Sequence, residues 1–259
     1  MPDGERPKTT LRLLTWNLHG FVGSDGVHDP ERICRIVREI APDIAAFQEV
    51  DIRGVDADAA LTESTLRDSV GPYGANAWSI AEPGRRYGLM LASRLPLAPA
   101  DIHDLSVERR EPRRAIETRI DSPDLPVLRI IATHLGLAFR ERREQHARLH
   151  RIIGRDDDVP VAVMGDFNNW IFERRIGGLA GIMPERTRER TWPARLPFLP
   201  LDRVWLRPAG LLHRSRRYGK YRAASDHLPL VAEIGLPPAA PLRPGTVRDG
   251  LKAADQVTG

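Results

Sequence analysis

Short runs of branched and bulky apolar residues recur along this chain, and several stop at a polar or charged side chain where a turn residue would be ordinary. Leu11 to Trp16, Ile44 to Phe47, Val159 to Met164, Leu201 to Leu206 and Leu228 to Ile234 are too short for amphipathic helices, so the pattern predicts buried strands. Gly88 to Ala92 adds another, and Ala115 to Ile120 and Val127 to Thr133 read as a hairpin joined through Asp121 to Pro126. Helical spacing interrupts this series. Ile33, Ile36, Val37 and Ile40 follow Asp29-Pro30-Glu31, which offers an N-cap, a first-turn proline and a first-turn acid, and Pro42 ends the segment. Ala59 to Val70 reads as a weaker helix. Phe139 to Ile153 reads as a strongly charged one, whose few apolar positions include Leu149, Ile152 and Ile153.

Strand, helix and strand in succession predict an α/β fold. No internal repeat appears. The polar residues 1–10 are expected to be a flexible N-terminus. From residue 237 onward proline, glycine and charge replace any periodicity, so 237–259 is expected to be a flexible tail, leaving 11–236 as one domain.

Composition changes this picture only at its edges. A chain of 259 residues with 41% hydrophobic content can bury a substantial core. The single cysteine, Cys34, excludes an intrachain disulfide and reads as a small core residue. Met1 to Thr10 has neither the apolar stretch of a signal peptide nor that of a membrane span, so a cytoplasmic protein is expected. Arginine supplies 36 of the 39 basic side chains. Its planar fork suits phosphate, and Arg109 to Arg114, Arg140 to Arg143 and Arg214 to Arg222 are locally basic. A solvated charged surface is the plain reading of these segments; attraction to nucleic acid or to an anionic membrane surface is the other.

The polar strand ends carry the chemistry. Five clusters recur: TWNLHG at Thr15 to Gly20, FQEV at Phe47 to Val50, THLG at Thr133 to Gly136, GDFNNW at Gly165 to Trp170 and SDHLPL at Ser225 to Leu230. A buried strand that ends in Asn17, Glu49, His134, Asp166 or Asp226 places a costly polar group where a pocket or a bound cation would compensate it. Together the five suggest one acidic, metal-binding site. In GDFNNW an extended chain would point Asp166 and Asn168 the same way and turn Phe167 into the core.

In this order the clusters resemble those of the endonuclease/exonuclease/phosphatase superfamily, the group that includes deoxyribonuclease I, apurinic endonucleases, inositol polyphosphate phosphatases and bacterial sphingomyelinases. The resemblance covers Leu11 to Gly235. It implies a four-layer sandwich of two mixed β-sheets flanked by helices, with a phosphoester-hydrolysing site at one edge. On that resemblance Glu49 is the principal carboxylate ligand of a divalent ion, Asp226 completes the metal site, and Asn17 helps to orient the metal or the phosphate. The ion implied is Mg²⁺, with Mn²⁺ as a substitute. Asp166 and Asn168 would position the attacking water and stabilise developing charge. Asp202 and His227 would form a dyad, and His134 would contact phosphate. A phosphate-contacting arginine is expected at Arg113, with Arg114 the alternative.

His19 departs from the aspartate that apurinic endonucleases carry two residues after the motif asparagine, which weakens a DNA-repair reading. TWNLHGFVGSDGVHDPERI, the THLGL followed by Arg140 to Gln145, and Thr191-Trp192-Pro193 resemble the small bacterial metal-dependent hydrolases of the superfamily, some associated with cardiolipin synthases. The resemblance therefore implies a metal-dependent phosphoric ester hydrolase, foremost a phosphodiesterase acting on a small or lipid-type phosphoester. A nuclease acting on DNA or RNA is the first alternative and a catalytically inactive binding module the second.

Overall fold

Two six-stranded sheets form around the runs of apolar residues that the sequence sets apart. A computed structural model describes residues 9–54, 57–123, 125–154, 159–169 and 178–237. In chain order the strands are β1 (Thr9–Asn17), β2 (Ile44–Arg53), β3 (Tyr73–Glu82), β4 (Arg85–Ser93), β5 (Asp101–Asp104), β6 (Arg114–Arg119), β7 (Arg129–His134), β8 (Val161–Asp166), β9 (Glu185–Arg186), β10 (Asp202–Arg207), β11 (Leu212–Arg217) and β12 (Leu230–Leu236). The helices are α1 (Pro30–Ile40), α2 (Ala57–Asp68) and α3 (Phe139–Ile153).

One sheet has the order β11-β12-β1-β2-β4-β3 and the other β5-β6-β7-β8-β10-β9. Each holds one parallel pair, β1 with β2 and β7 with β8, among antiparallel neighbours. Their inner faces meet in a core that includes Leu13, Ile44, Leu91, Ile130, Met164 and Ile234. The outer face of the first sheet packs under α1 and α2 through Leu14, Phe47, Ile33, Val37 and Leu66. The outer face of the second packs under α3 through Ile131, Val163, Leu149 and Ile153. This is the four-layer α/β sandwich that the resemblance implies.

Helix α1 starts and stops where its residues dictate. The Asp29 carboxylate accepts from the Arg32 backbone N–H at 2.8 Å, Pro30 occupies the first turn, and Ala41 turns left-handed at φ 50° to close the helix. Thr9 and Thr10 already belong to β1, so they are strand and not flexible terminus. The remaining N-terminal residues, and the tail beyond residue 237, lie outside the described residues. Four strands were not anticipated from the sequence: β3, β5, β9 and β11. The last, LHRSRR, overlaps the locally basic segment Arg214 to Arg222.

Candidate active site

Sheet topology gathers the polar strand ends at one edge of the sandwich. Because β1 and β2 are parallel, Asn17 and Glu49 emerge at the same end. β12 runs antiparallel to β1 with Leu230 opposite Thr15, which returns the turn carrying Asp226 and His227 to that end. In the other sheet His134 lies in register with Asp166 across the parallel pair, and Asp202 lies opposite Asp166 across the antiparallel one. Asn17 joins the two sheets. Its Nδ2 donates to Glu49 Oε1 at 2.8 Å and to Asp166 Oδ2 at 3.1 Å. Glu49, Arg113, His134, Asp166, Asn168, Asp226 and His227 all line one cavity of about 400 Å³.

Local backbone irregularity aims these groups. Between Phe47 and Val50 the β2–β4 register shifts at a bulge, and Glu49 takes φ 53°. Ile44 and Ala46 face the inner core while Ala45 and Phe47 face the helices. Strict alternation would put Glu49 under the helices with Phe47; the bulge returns Val50 to that face and lets Glu49 line the cavity. A left-handed glutamate costs roughly 1–2 kcal/mol. Asn168, expected in extended chain, has φ 50°, and its backbone N–H donates to Asp166 Oδ1 at 2.9 Å. The Asp-Phe-Asn segment thus folds back as an Asx turn, because a short polar side chain caps its own chain two residues on. Asn168 Nδ2 then donates to the Leu135 carbonyl at 2.9 Å, while Phe167 enters the core under α3.

Two histidines take opposite charge states. His227 Nδ1 lies 2.8 Å from Asp202 Oδ2, and its Nε2 lies 3.8 Å from Asp166 Oδ2. Burial by itself would lower the His227 pKa, but the charges of Asp202 and Asp166 outweigh it and push the imidazole up to about 10. His227 is therefore an imidazolium at neutral pH. His134 is the reverse: burial, then the nearby positive charges of Arg113 and His227, hold its pKa well below the ordinary value. Arg113 Nη1 lies 3.1 Å from His134 Nδ1. A guanidinium only donates, so Nδ1 accepts and the proton of neutral His134 sits on Nε2. That nitrogen faces Asp166 Oδ2 at 3.7 Å and Glu49 Oε1 at 3.9 Å. Burial also raises the Asp166 carboxyl to about 6, against the opposing pull of His227.

The donor set suits a hard divalent cation. Glu49 and Asp226 present only carboxylate oxygens to the cavity, the ligand type that Mg²⁺ takes. The ligand atoms of Asp166, Asp202 and His227 also lie within 4.8 Å of one another. That buried trio could also hold a metal ion, whose binding would release the His227 proton. The Asn17 oxygen, expected among the metal donors, accepts from the His19 backbone N–H at 3.0 Å. Asn17 orients two carboxylates through its Nδ2, and its oxygen keeps a second lone pair for the metal contact expected of it.

Residues 14–227 match the endonuclease/exonuclease/phosphatase family. The chain belongs to this family. Family members are generally hydrolases, phosphatases and nucleases among them, and its enzymes depend on divalent metal ions. The Escherichia coli K12 protein YbhP is 29% identical over 264 residues, covering 91% of this chain and all of the relative. The family structure from Beutenbergia cavernae DSM 12333 superposes with a TM-score of 0.69 at 23% identity, covering 88% of this chain and 72% of that one. The Bacteroides thetaiotaomicron mannosyl-6-phosphatase Bt3783 superposes at 0.65 with 15% identity, covering 86% and 99%. At these identities the two structures share the fold.

Several residues around this family cleft escaped the sequence reading. Tyr87 and Glu111 line the cavity; burial, with the charges of Glu49 and Glu111, raises the Tyr87 phenol. Trp192 Nε1 donates to Asp226 Oδ2 at 3.2 Å and also lines the cavity. Arg113 is buried there, whereas Arg114 reaches outward to Asp104 at 3.5 Å. One face of the charged first half of α3, formed by Glu141, Arg142, Gln145 and His146, is buried as well. Gln145 Oε1 accepts from the Gly136 N–H at 2.8 Å, Arg142 Nε donates to Asn169 Oδ1 at 3.1 Å, and His146 lies 2.7 Å from the Asn169 amide. These polar contacts hold the THLG and GDFNN segments where an apolar helix face was the only available signal.

Proposed function

We propose that this chain is a divalent-metal-dependent phosphoester hydrolase, most simply a phosphodiesterase acting on a small or lipid-type phosphoester by in-line attack of water. The observation that carries the reading is the Asn17 amide bridging Glu49 and Asp166 across the two sheets, in a cavity that also holds one charged and one neutral histidine. Glu49 and Asp226 would hold Mg²⁺ or Mn²⁺, and a bound ion supplies Lewis-acid polarisation of a phosphoryl oxygen. Asp166 accepts the proton of the attacking water: with a pKa of about 6 it is ionised at neutral pH yet more basic than an ordinary aspartate. The His227 imidazolium and the His134 Nε2–H donate to phosphoryl oxygens, and Asp202 keeps His227 charged. Arg113 fixes the His134 tautomer and adds positive charge beside it. Asn168, held by the Asx turn, presents its amide to the same cavity.

Purified protein should be assayed on an aryl phosphodiester, an aryl phosphomonoester, phospholipid, inositol phosphates and nucleic acid, with Mg²⁺, with Mn²⁺ and with chelator. Chelator-sensitive turnover of a phosphodiester supports the reading. Turnover confined to nucleic acid would replace it with a nuclease, and absence of metal-dependent turnover on all five would contradict it.

A further inference from the structure

The two most exposed large apolar side chains among the described residues, Leu196 at 77% and Leu137 at 75%, both sit on segments that line the catalytic cleft. Each has an exposed aromatic companion two residues on, Phe198 and Phe139. Leu137 itself lines the cavity, and Phe198 packs on Trp192, which lines it too, with Leu199. The 192–199 loop is tied to the loop after β1 through Arg195 Nη2 and the Ser24 carbonyl at 2.6 Å, and that loop exposes Val27. Isolated apolar residues on a surface need no explanation, but a set around one opening does. Exposed arginines flank them: Arg195 lies beside Leu196, Arg140 and Arg143 follow Phe139, and Arg109 and Arg110 precede the cleft residues Glu111 and Arg113.

We infer that the cleft mouth docks on an anionic lipid surface, with Leu137, Phe139, Leu196 and Phe198 entering the headgroup layer and the arginines meeting lipid phosphates, so that the substrate is a lipid phosphoester reached from the membrane. This rests on the hydrolase reading above. The apolar groups stand on two separate segments, Leu137 and Phe139 at the start of α3 and Leu196 and Phe198 in the 192–199 loop. A fluid interface accommodates separated prongs, each next to a cation, better than a rigid protein partner does. A partner protein seated over these tips would also cover the cavity that Glu49 and Asp166 line, whereas a lipid surface delivers substrate there.

The test compares the full chain with a Leu196→Ser/Phe139→Ser double variant, neither residue lining the cavity. Binding is read by sedimentation with vesicles of equimolar phosphatidylglycerol and phosphatidylcholine, and with phosphatidylcholine alone. Turnover of a soluble aryl phosphodiester is measured on the same samples. The inference expects the parent to bind the anionic vesicles and not the neutral ones, the variant to bind them at least roughly tenfold more weakly, and both to hydrolyse the soluble ester equally. A parent that turns over the ester but ignores anionic vesicles overturns the docking inference and leaves the hydrolase reading standing. Equal vesicle binding by parent and variant overturns it too, because another face would then be responsible. A parent that is dimeric without lipid, with a monomeric variant, assigns the apolar tips to a second copy and likewise overturns it. Vesicle binding that the variant loses, with no metal-dependent turnover by either protein of the soluble ester or of the other four substrates above, upholds docking and removes the hydrolase reading.

Discussion

His227 Nδ1 meets Asp202 Oδ2 at 2.8 Å, with both side chains buried, and this pair sets the charge of the imidazole that faces Asp166. A histidine whose folded pKa is raised from 6.5 to about 10 adds stability that is complete below its unfolded pKa and lost as pH climbs through the folded one. The unfolding free energy of the parent should therefore fall between neutral pH and about pH 10, and Asp202→Asn should flatten that fall while lowering activity by about 10²-fold or more. Urea titrations across this pH range check it. Equal pH slopes in parent and variant would contradict the assignment.

Asp166 carries the opposite sign from most native carboxylates. Its pKa is raised by burial from 3.8 to about 6, so it stabilises the fold most below about pH 4, and that contribution is gone above pH 6. Asp166→Asn, which keeps the shape and removes the buried charge, should raise the thermal midpoint by a few degrees at neutral pH in the presence of chelator. Scanning calorimetry gives the answer. A lower midpoint in the variant would mean that the hydrogen bonds from Asn17 and Asn168 outweigh the cost of burying the carboxylate.

Trp192 acts on Asp226 through a single indole hydrogen bond of 3.2 Å. Trp192→Phe keeps the ring and deletes that donor. Affinity for Mn²⁺, measured by calorimetric titration, should drop about tenfold with little change in stability, as when a partner that orients a metal ligand is removed. Unchanged affinity would argue that Asp226 does not touch the ion.

Gly165 leaves no room for a side chain, since a Cβ there would lie 1.9 Å from the Thr133 carbonyl oxygen of the neighbouring strand, at φ 152°. Gly165→Ala must push β8 away from β7 and so move Asp166 relative to His134. A loss of about 3 kcal/mol in urea unfolding is expected, together with a fall in activity. Normal stability and turnover would show that the two strands can part without disturbing the site.

What was legible in the sequence follows from where each element sits. The central strands β1, β2, β7, β8, β10 and β12 bury both faces, so their residues read as apolar runs. The unanticipated strands β3, β5, β9 and β11 are the four outer edges of the two sheets. An edge strand buries less and tolerates charge, and LHRSRR in β11 or DIHD in β5 carries no hydrophobic signature of its pairing. The site was legible at the residues that terminate central strands, such as Asn17, His134 and Asp166. It was not legible where a bulge sets direction, as at Glu49, or where a polar helix face turns inward, as at Gln145 and His146. Periodicity assumes regular backbone and apolar burial, and both assumptions fail there.

The central claim is that one cleft, built from the ends of both sheets, hydrolyses phosphoesters. The most direct measurement is kcat/KM on an aryl phosphodiester with saturating Mg²⁺ for the parent, Glu49→Gln and Asp166→Asn, each verified as folded by circular dichroism. The account predicts a loss of about 10³-fold or more in both variants. Turnover within a factor of two of the parent in either folded variant would contradict it.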